Sequence, residues 1–408
     1  MVFYNPADPQ WSLEPGPLFD EIREKAPVHK TPDNYWVLSR HDDVLGLLRS
    51  PSASSDSMHV HPDKQPHDFS SSRRDEQRAL IRETGDDTRP FLFRDPPDHA
   101  RLRGLVQRAF TPKRVAELEP FVRSTTKSLL EGKINGEPFD VVQDLAWALP
   151  VAVICELLNI PQEDQETFQR QSALLARGLD PEFLLSEEDR VERDNAILHF
   201  GAYFHDLFAK RRAAPGDDLL SALVAARDGG DQLSEGELLS TAVLLLVAGH
   251  ETTMNLISGS FLALSRDRDA QESLRKTGTI DRHCVDELLR FVSPVQITGR
   301  SLLSDMNFGG QMIEEGSFVL ALIGAANRDP AVFEAPTTLT LSREPNPQLG
   351  FGFGLHHCLG APLARLESQV VLEEVLQSSS SFEVVGPVKY RPNIVLRGLE
   401  ELSLVIEP

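Results

Sequence analysis

Cysteine is scarce in this chain: Cys155, Cys284 and Cys358 are three among 408 residues. Their odd number and wide separation exclude a disulfide framework and suit a reducing compartment. Positive charge is also in deficit, with 41 Lys and Arg against 62 Asp and Glu, a net charge of −21. Nucleic acid and anionic lipid are themselves polyanions, so neither is expected as a general partner, and only a local basic patch would oppose an acidic one. No apolar run is long enough to cross a bilayer: the longest, LLSTAVLLLVAG at 238–249, spans about a dozen residues against the roughly 20 a membrane helix needs. It reads as a buried helix. The N-terminal segment carries early prolines and acids and no unbroken apolar stretch, so neither a secretion signal nor an anchor is expected, and cytoplasm is the default. Internal repeats, low-complexity tracts and a clear linker are absent too. With 40% apolar residues the chain can bury a large core, and a single catalytic body over 1–408, monomeric, is expected.

What is present is mainly helical with minor β-sheets, an α+β class. PVHKTPDNYWVLSR gives two short strand-like runs around a Pro-Asp-Asn turn, within a β region at about 27–40. Strand alternation returns at about 297–324 and 382–406, while helical spacing dominates about 98–296 and 359–377. Ser234 and Glu237 have the spacing of a capping box and open a helix running to about Ser265, roughly 45 Å at about 1.5 Å per residue. From Ser52 to Arg94 periodicity is weak, apart from a short helix near Asp75–Glu83. A loop this long in a compact enzyme suggests a lid or binding loop, and its His59, His61 and His67 have the look of metal ligands.

The densest chemistry is FGFGLHHCLGAPLAR at 351–365. Leu363, Leu366, Val370 and Leu376 mark one face of a helix beginning just after Cys358, so the cysteine lies at a helix N-terminus. There N–H groups and dipole favour a thiolate, the form that ligates metal or attacks as a nucleophile. Glycines at 352, 354 and 360 let backbone approach a flat partner. A structural cysteine in a glycine-rich turn is the ordinary alternative; core packing is the reading for Cys155 and Cys284.

The spacing Phe351, Gly352, Gly354, His356, Cys358, Gly360 resembles the haem-binding loop of the cytochrome P450 family at every position. The resemblance spans nearly the whole chain. It implies that Cys358 is the axial ligand of the iron of haem b, that Phe351 shields the sulfur, and that His356 binds a propionate. AGHETT at 248–253 resembles the oxygen-binding groove of the family's long central helix. There Ala248 and Gly249 leave room over the haem, Thr252 meets dioxygen and Glu251 relays protons. Glu287 and Arg290 in ELLR match a structural pair of the family, and the position of its usual third partner falls on Thr338, which puts the three-way network in question. Arg328 and Arg343 match common bacterial versions. In HARLR, His99 and Arg103 lie one turn apart, and with Arg300 and His356 they are implied to neutralise the propionates.

The implied activity is a haem-thiolate monooxygenase that hydroxylates or epoxidises an apolar small molecule of terpenoid, steroid, polyketide or fatty-acid class. Its electrons would come from NAD(P)H through separate ferredoxin and ferredoxin reductase chains. A ferredoxin would dock near Arg103, Arg108, Lys113 and Arg114. Leu244, Val247, Ala248, Val295, Gln296, Ile297 and Leu396 are the expected pocket, with Gln296 and Thr298 as groups to orient a polar substituent. The rivals are a peroxide-driven peroxygenase, which has less need of the Glu251–Thr252 pair, and a non-catalytic haem sensor or carrier.

Overall fold

The computed structural model describes residues 2–6, 8–66, 79, 81, 83, 87–177, 179–180, 185–228 and 231–408. His67 and most of the helix expected at 75–83 lie outside them.

The organising element is one helix, Glu235–Ser265. Its start is the capping box read from sequence: Ser234 Oγ accepts from the Glu237 N–H at 3.2 Å, and the Glu237 carboxylate accepts from the Ser234 N–H at 2.9 Å. Its interior is apolar nearly all round, as expected of a helix surrounded by others. Helices Ala148–Leu158, Gln165–Arg177, Arg282–Val292 and Ala361–Ser378 pack on it. Close approach is written into Gly259, where a Cβ would stand 2.4 Å from Val292 Cγ1. Two buried serines of this helix are satisfied locally: Ser258 and Ser260 donate to the carbonyls four residues back, at 2.8 and 2.7 Å. Cys155 is buried in the main apolar cluster, and Cys284 packs against it.

The sheets are small and peripheral. Strands Val28–Lys30, Trp36–Leu38, Phe318–Leu322, Ile297–Leu302 and Ala53–Ser54 lie in that order. The sequence-adjacent hairpin is antiparallel (Val28 opposite Leu38), whereas Phe318–Leu322 joins Trp36–Leu38 in parallel. A second sheet, Ser381–Val384, Ser403–Glu407 and Phe139–Asp140, ties the C-terminus to the helical body. Strands fall in all three regions where alternation placed them, about 27–40, 297–324 and 382–406, but Ala53–Ser54 and Phe139–Asp140 lie outside those regions. The segment 112–130 forms two helices, Pro112–Glu117 and Glu119–Leu130, because Pro120 supplies no N–H and starts a new helix.

Beneath the cysteine loop lies a closed ionic knot. Arg290 donates to both oxygens of Glu287 at 2.7 and 2.8 Å, and Arg343 Nε lies 3.0 and 3.1 Å from the same two atoms. The Thr340 N–H and Asn346 amide complete the carboxylate at 2.9 and 3.2 Å. The network put in question at Thr338 is therefore complete. Arg343, five residues on, is the third partner, and Thr338 contributes a backbone carbonyl, 3.3 Å from Arg290 Nη2. Its backbone leaves no need for a side-chain charge there.

Candidate active site

The cysteine loop is built from backbone. The Cys358 N–H donates to the Phe351 carbonyl at 2.9 Å, closing the turn. Gly354 makes the bend with φ +70°, and a Cβ there would meet the Leu48 carbonyl at 2.7 Å, so no other residue fits without a shift. Helix Ala361–Ser378 follows, with Gly360 as its N-cap. The Gly360 and Ala361 N–H groups point at the Cys358 sulfur, as the reading of a helix N-terminus requires. Arg365 covers Phe351 at 4.4 Å from the ring centroid.

Burial pushes the Cys358 thiol up, against the opposing pull of the Gly360 and Ala361 N–H groups and of Arg103 and Arg365, and a bound cation would favour the thiolate further. Cys358 is deep within the protein yet has open surface, so it lines an internal cleft.

Four basic side chains gather beside it. His99, 2% exposed, has neither ring nitrogen hydrogen-bonded, and its ring lies 4.3 Å from that of His356. His356 Nε2 is 3.1 Å from Ser55 Oγ. Burial, then Arg300, His99 and Arg103, hold the His356 imidazole at a pKa of about 3. Arg300 is buried enough to be lowered to about 10, with Thr298 Oγ1 and the Gly299 carbonyl accepting from Nη1 at 3.1 and 2.7 Å. Arg103 reaches over to the His357 carbonyl at 2.6 Å. Burying positive groups together is costly unless an anion joins them. The orphaned His99 nitrogens and crowded cations therefore fit a dianionic group such as the two carboxylates of a haem, with the sulfur as iron ligand.

On the central helix Ala248 is exposed although the helix is enclosed by others, so it too faces the internal space. Half-buried Leu244, Val247 and Thr252 flank it. Thr252 Oγ1 donates to the Ala248 carbonyl at 2.9 Å. Gly249 does not open onto that space: its missing side chain would point at Ile154 Cδ1, 3.5 Å away, and serves helix packing. Val295 and Leu396 are joined by an antiparallel bridge and belong to none of the packed core clusters, in keeping with a place on the cleft wall. Gln296 and Ile297 turn elsewhere. Gln296 donates to the Ser293 carbonyl at 2.5 Å and its Oε1 lies against Gly324; Ile297 packs with Tyr4, Trp11 and Phe19. His59 and His61 turn to separate carboxylates, Asp95 at 3.3 Å and Asp63.

Sequence reasoning missed Arg391, whose Nη1 is 3.2 Å from Glu251 Oε1. The partners are 140 positions apart, and no local pattern announces them.

A cytochrome P450 family model matches residues 55–277 and 280–395. The polyketide biosynthesis cytochrome P450 PksS of Bacillus subtilis (strain 168) is 34% identical over 99% of this chain and 98% of that one. The PksS structure covers the full length of both chains with a TM-score of 0.87 at 33% identity. A vitamin D(3) 25-hydroxylase of Pseudonocardia autotrophica is 35% identical over 97% of this chain and 94% of its own. The structure of P450BioI with a hexadec-9Z-enoic acid-ligated acyl carrier protein aligns at TM-score 0.86 and 33% identity, covering 98% of this chain and all of that one. The fold and its site define a haem-iron oxidoreductase. The chain belongs to the cytochrome P450 family and is a cytochrome P450 monooxygenase. Among the described residues, no helix is long and apolar enough to cross a membrane.

Proposed function

We propose that Cys358 ligates the iron of haem b and that His99, Arg103, Arg300 and His356 hold its propionates. The chain would then hydroxylate or epoxidise an apolar small molecule with O2 and two electrons delivered from outside. The observation that carries this is the cluster of buried, partly orphaned bases beside a cysteine whose sulfur faces two backbone N–H groups. When bound there, the haem supplies dioxygen activation; the chain supplies the rest. Gly360 and Ala361 N–H groups stabilise charge on sulfur, and the Phe351 ring under Arg365 screens it from water. Thr252 presents its hydroxyl beside Ala248, and Glu251, 1% exposed, is the acid that passes protons toward it.

Leu244, Val247, Ala248, Val295 and Leu396 form an apolar pocket wall, which supports a hydrocarbon-rich substrate. The named chemistry of the relatives, polyketide, vitamin D and fatty-acyl carrier protein, falls within the terpenoid, steroid, polyketide and fatty-acid range. Electrons would come from NAD(P)H through a ferredoxin and its reductase. Of the basic residues assigned to docking, Arg103 turns inward to His357 and Arg114 pairs with Asp217 at 3.6 Å, while Arg108 is exposed and so is Lys113, 3.7 Å from Glu117. Exposed Phe353 and Leu355 in the cysteine loop add an apolar centre to that face.

A substrate-library titration of the ferric Soret band tests the reading, with the reduced carbon monoxide difference spectrum as control. Apolar ligands of one class are expected to shift the spin state. No shift with any, together with no oxygen uptake, would favour a sensor or carrier; turnover with peroxide but none with NAD(P)H and redox partners would favour a peroxygenase.

A further inference from the structure

Segment 4–14 packs on the five-stranded sheet. Tyr4 and Trp11 are buried, their rings 4.7 Å apart, and Trp11 meets Phe19 at 5.4 Å. These three form one apolar cluster with Ile297 and Ile394, among others. From the same segment the Leu13 carbonyl accepts from Arg397 Nη2 at 2.9 Å. Residues 394–397 are the turn that carries Leu396. There the Val395 carbonyl accepts from the Gln296 N–H at 2.9 Å, the Arg397 N–H donates to the Pro294 carbonyl at 2.8 Å, and Leu396 bridges Val295. Segment 4–14 therefore braces from outside the turn whose inner side is cleft wall.

A hydrogen bond ties this segment to the strand Val28–Lys30. The Tyr4 N–H donates to His29 Nε2 at 3.0 Å, and His29 Nδ1 lies 2.7 Å from the Ala26 carbonyl. An amide N–H can only donate and a carbonyl can only accept, so the two partners fix the ring as the neutral tautomer, protonated at Nδ1 and bare at Nε2. A second proton would go to Nε2, the atom that receives the Tyr4 N–H; two donors would then face one another and the bond would be lost. Burial holds His29 below its usual value of 6.5, against a smaller upward pull from the Ala26 carbonyl, and no charged side chain among the described residues adds to either. Across the sheet His29 stands opposite Val37. Lys25, at the end of the helix Pro15–Lys25, turns to Glu21 at 2.8 Å, and Lys30, next on the strand, is exposed. On segment 4–14, Asp8 accepts from the Gln10 N–H at 2.9 Å and Glu14 is exposed.

We infer that His29 is an acid-sensitive latch: neutral, it accepts the Tyr4 N–H and holds segment 4–14 on the sheet; protonated, it releases that segment and with it the outer brace of turn 394–397. The step is uptake of one proton from water at Nε2 with loss of the Tyr4 hydrogen bond, and no electron moves. The released state binds the proton more tightly, so the latch is fully closed above pH about 6.5 and weakens as pH falls below it. A looser wall at Leu396 in acid is the consequence; it rests on the reading of Leu396 as cleft wall, whereas the latch itself does not.

Hydrogen exchange of the holoprotein, read by mass spectrometry on peptides covering 2–13 and 390–398 and corrected for the intrinsic pH dependence of amide exchange, tests the latch. For a group that titrates near 6.5 once released, the open fraction of segment 4–14 should rise by up to about tenfold between about pH 7.5 and about pH 5.5. Residues 394–397 should lose protection over the same range. His29→Gln, whose side chain keeps an acceptor and cannot titrate, should hold both segments closed at both pH values, and His29→Leu should loosen both at both. Equal protection of segment 4–14 at the two pH values in the wild type, or a pH dependence that survives in His29→Gln, overturns the latch. Release of segment 4–14 with turn 394–397 still protected overturns the brace. A wild-type protein without a thiolate-type carbon monoxide spectrum would instead sink the reading of Cys358, and the exchange of segment 4–14 would still decide the latch.

Discussion

Two buried clusters of charge lie on either side of the cysteine loop, and they are built on opposite principles. Around Glu287 the partners all come from within the chain: two arginines, an N–H and an amide converge on one carboxylate whose side chain has no exposure, and backbone carbonyls of Asn327, Pro336 and Glu334 take further guanidinium N–H groups. Around His356 four bases converge and no carboxylate of the cluster balances them; Asp95 is the acid whose field reaches His99 and Arg300, and it is engaged with His59 and Ser54. The first cluster is finished by folding. The second is finished only by an anion from outside, which is what separates a structural network from a binding site even though both look like buried charge.

If that contrast is right, the largest effect of any single change should fall in the closed cluster. Glu287→Gln leaves two buried guanidinium groups without their charge partner, and about 3–5 kcal/mol of stability should be lost. That is a large share of a typical total, so little folded protein is expected, read by soluble yield and thermal melting. In the open cluster, Arg300→Leu should leave folding nearly intact and weaken haem retention. One charge-assisted contact is worth about 1.5–3 kcal/mol, so transfer of haem to an acceptor protein should show affinity down about 10–100-fold. Loss of folding instead would make Arg300 structural and erase the contrast.

Haem removal gives a pH test. The His356 pKa is depressed to about 3, below its usual value near 6.5, so in haem-free protein the unfolded state takes up protons first as pH falls. Stability should be full above pH about 6.5 and decline from there toward 3. With carboxylates bound, His356 gains a reason to be protonated, and the decline measured by melting should be shallower. The smallest effect belongs to Gln296→Ala, which should leave substrate affinity in the spin-shift titration within about twofold, since the side chain turns to Ser293 and Gly324. Leu396→Ala should change it by more, as a cleft-wall residue losing buried methyl groups.

The site's parts that rest on local spacing were legible in the sequence. The turn of Gly354, the helix after Cys358, the capping box at Ser234 and the pairing of His99 with Arg103 each depend on residues a few positions apart, where φ angles and helical periodicity decide. What was not legible depends on contacts across the chain. Thr338 stood where a third charge was expected, but the carboxylate it would have met is filled from Arg343. Gln296 and Ile297 are turned from the cleft by contacts far along the chain, Gln296 against Gly324 and Ile297 in the cluster of Tyr4, Trp11 and Phe19. Glu251 was recognised and its partner was not, since Arg391 arrives from the C-terminal hairpin.

The most direct test of the whole account is Cys358→Ala. The variant should fold, and if it takes up haem its reduced carbon monoxide complex should lose the thiolate-type absorption of the parent protein. A thiolate-type spectrum that survives without Cys358 would contradict the assignment on which the site is built.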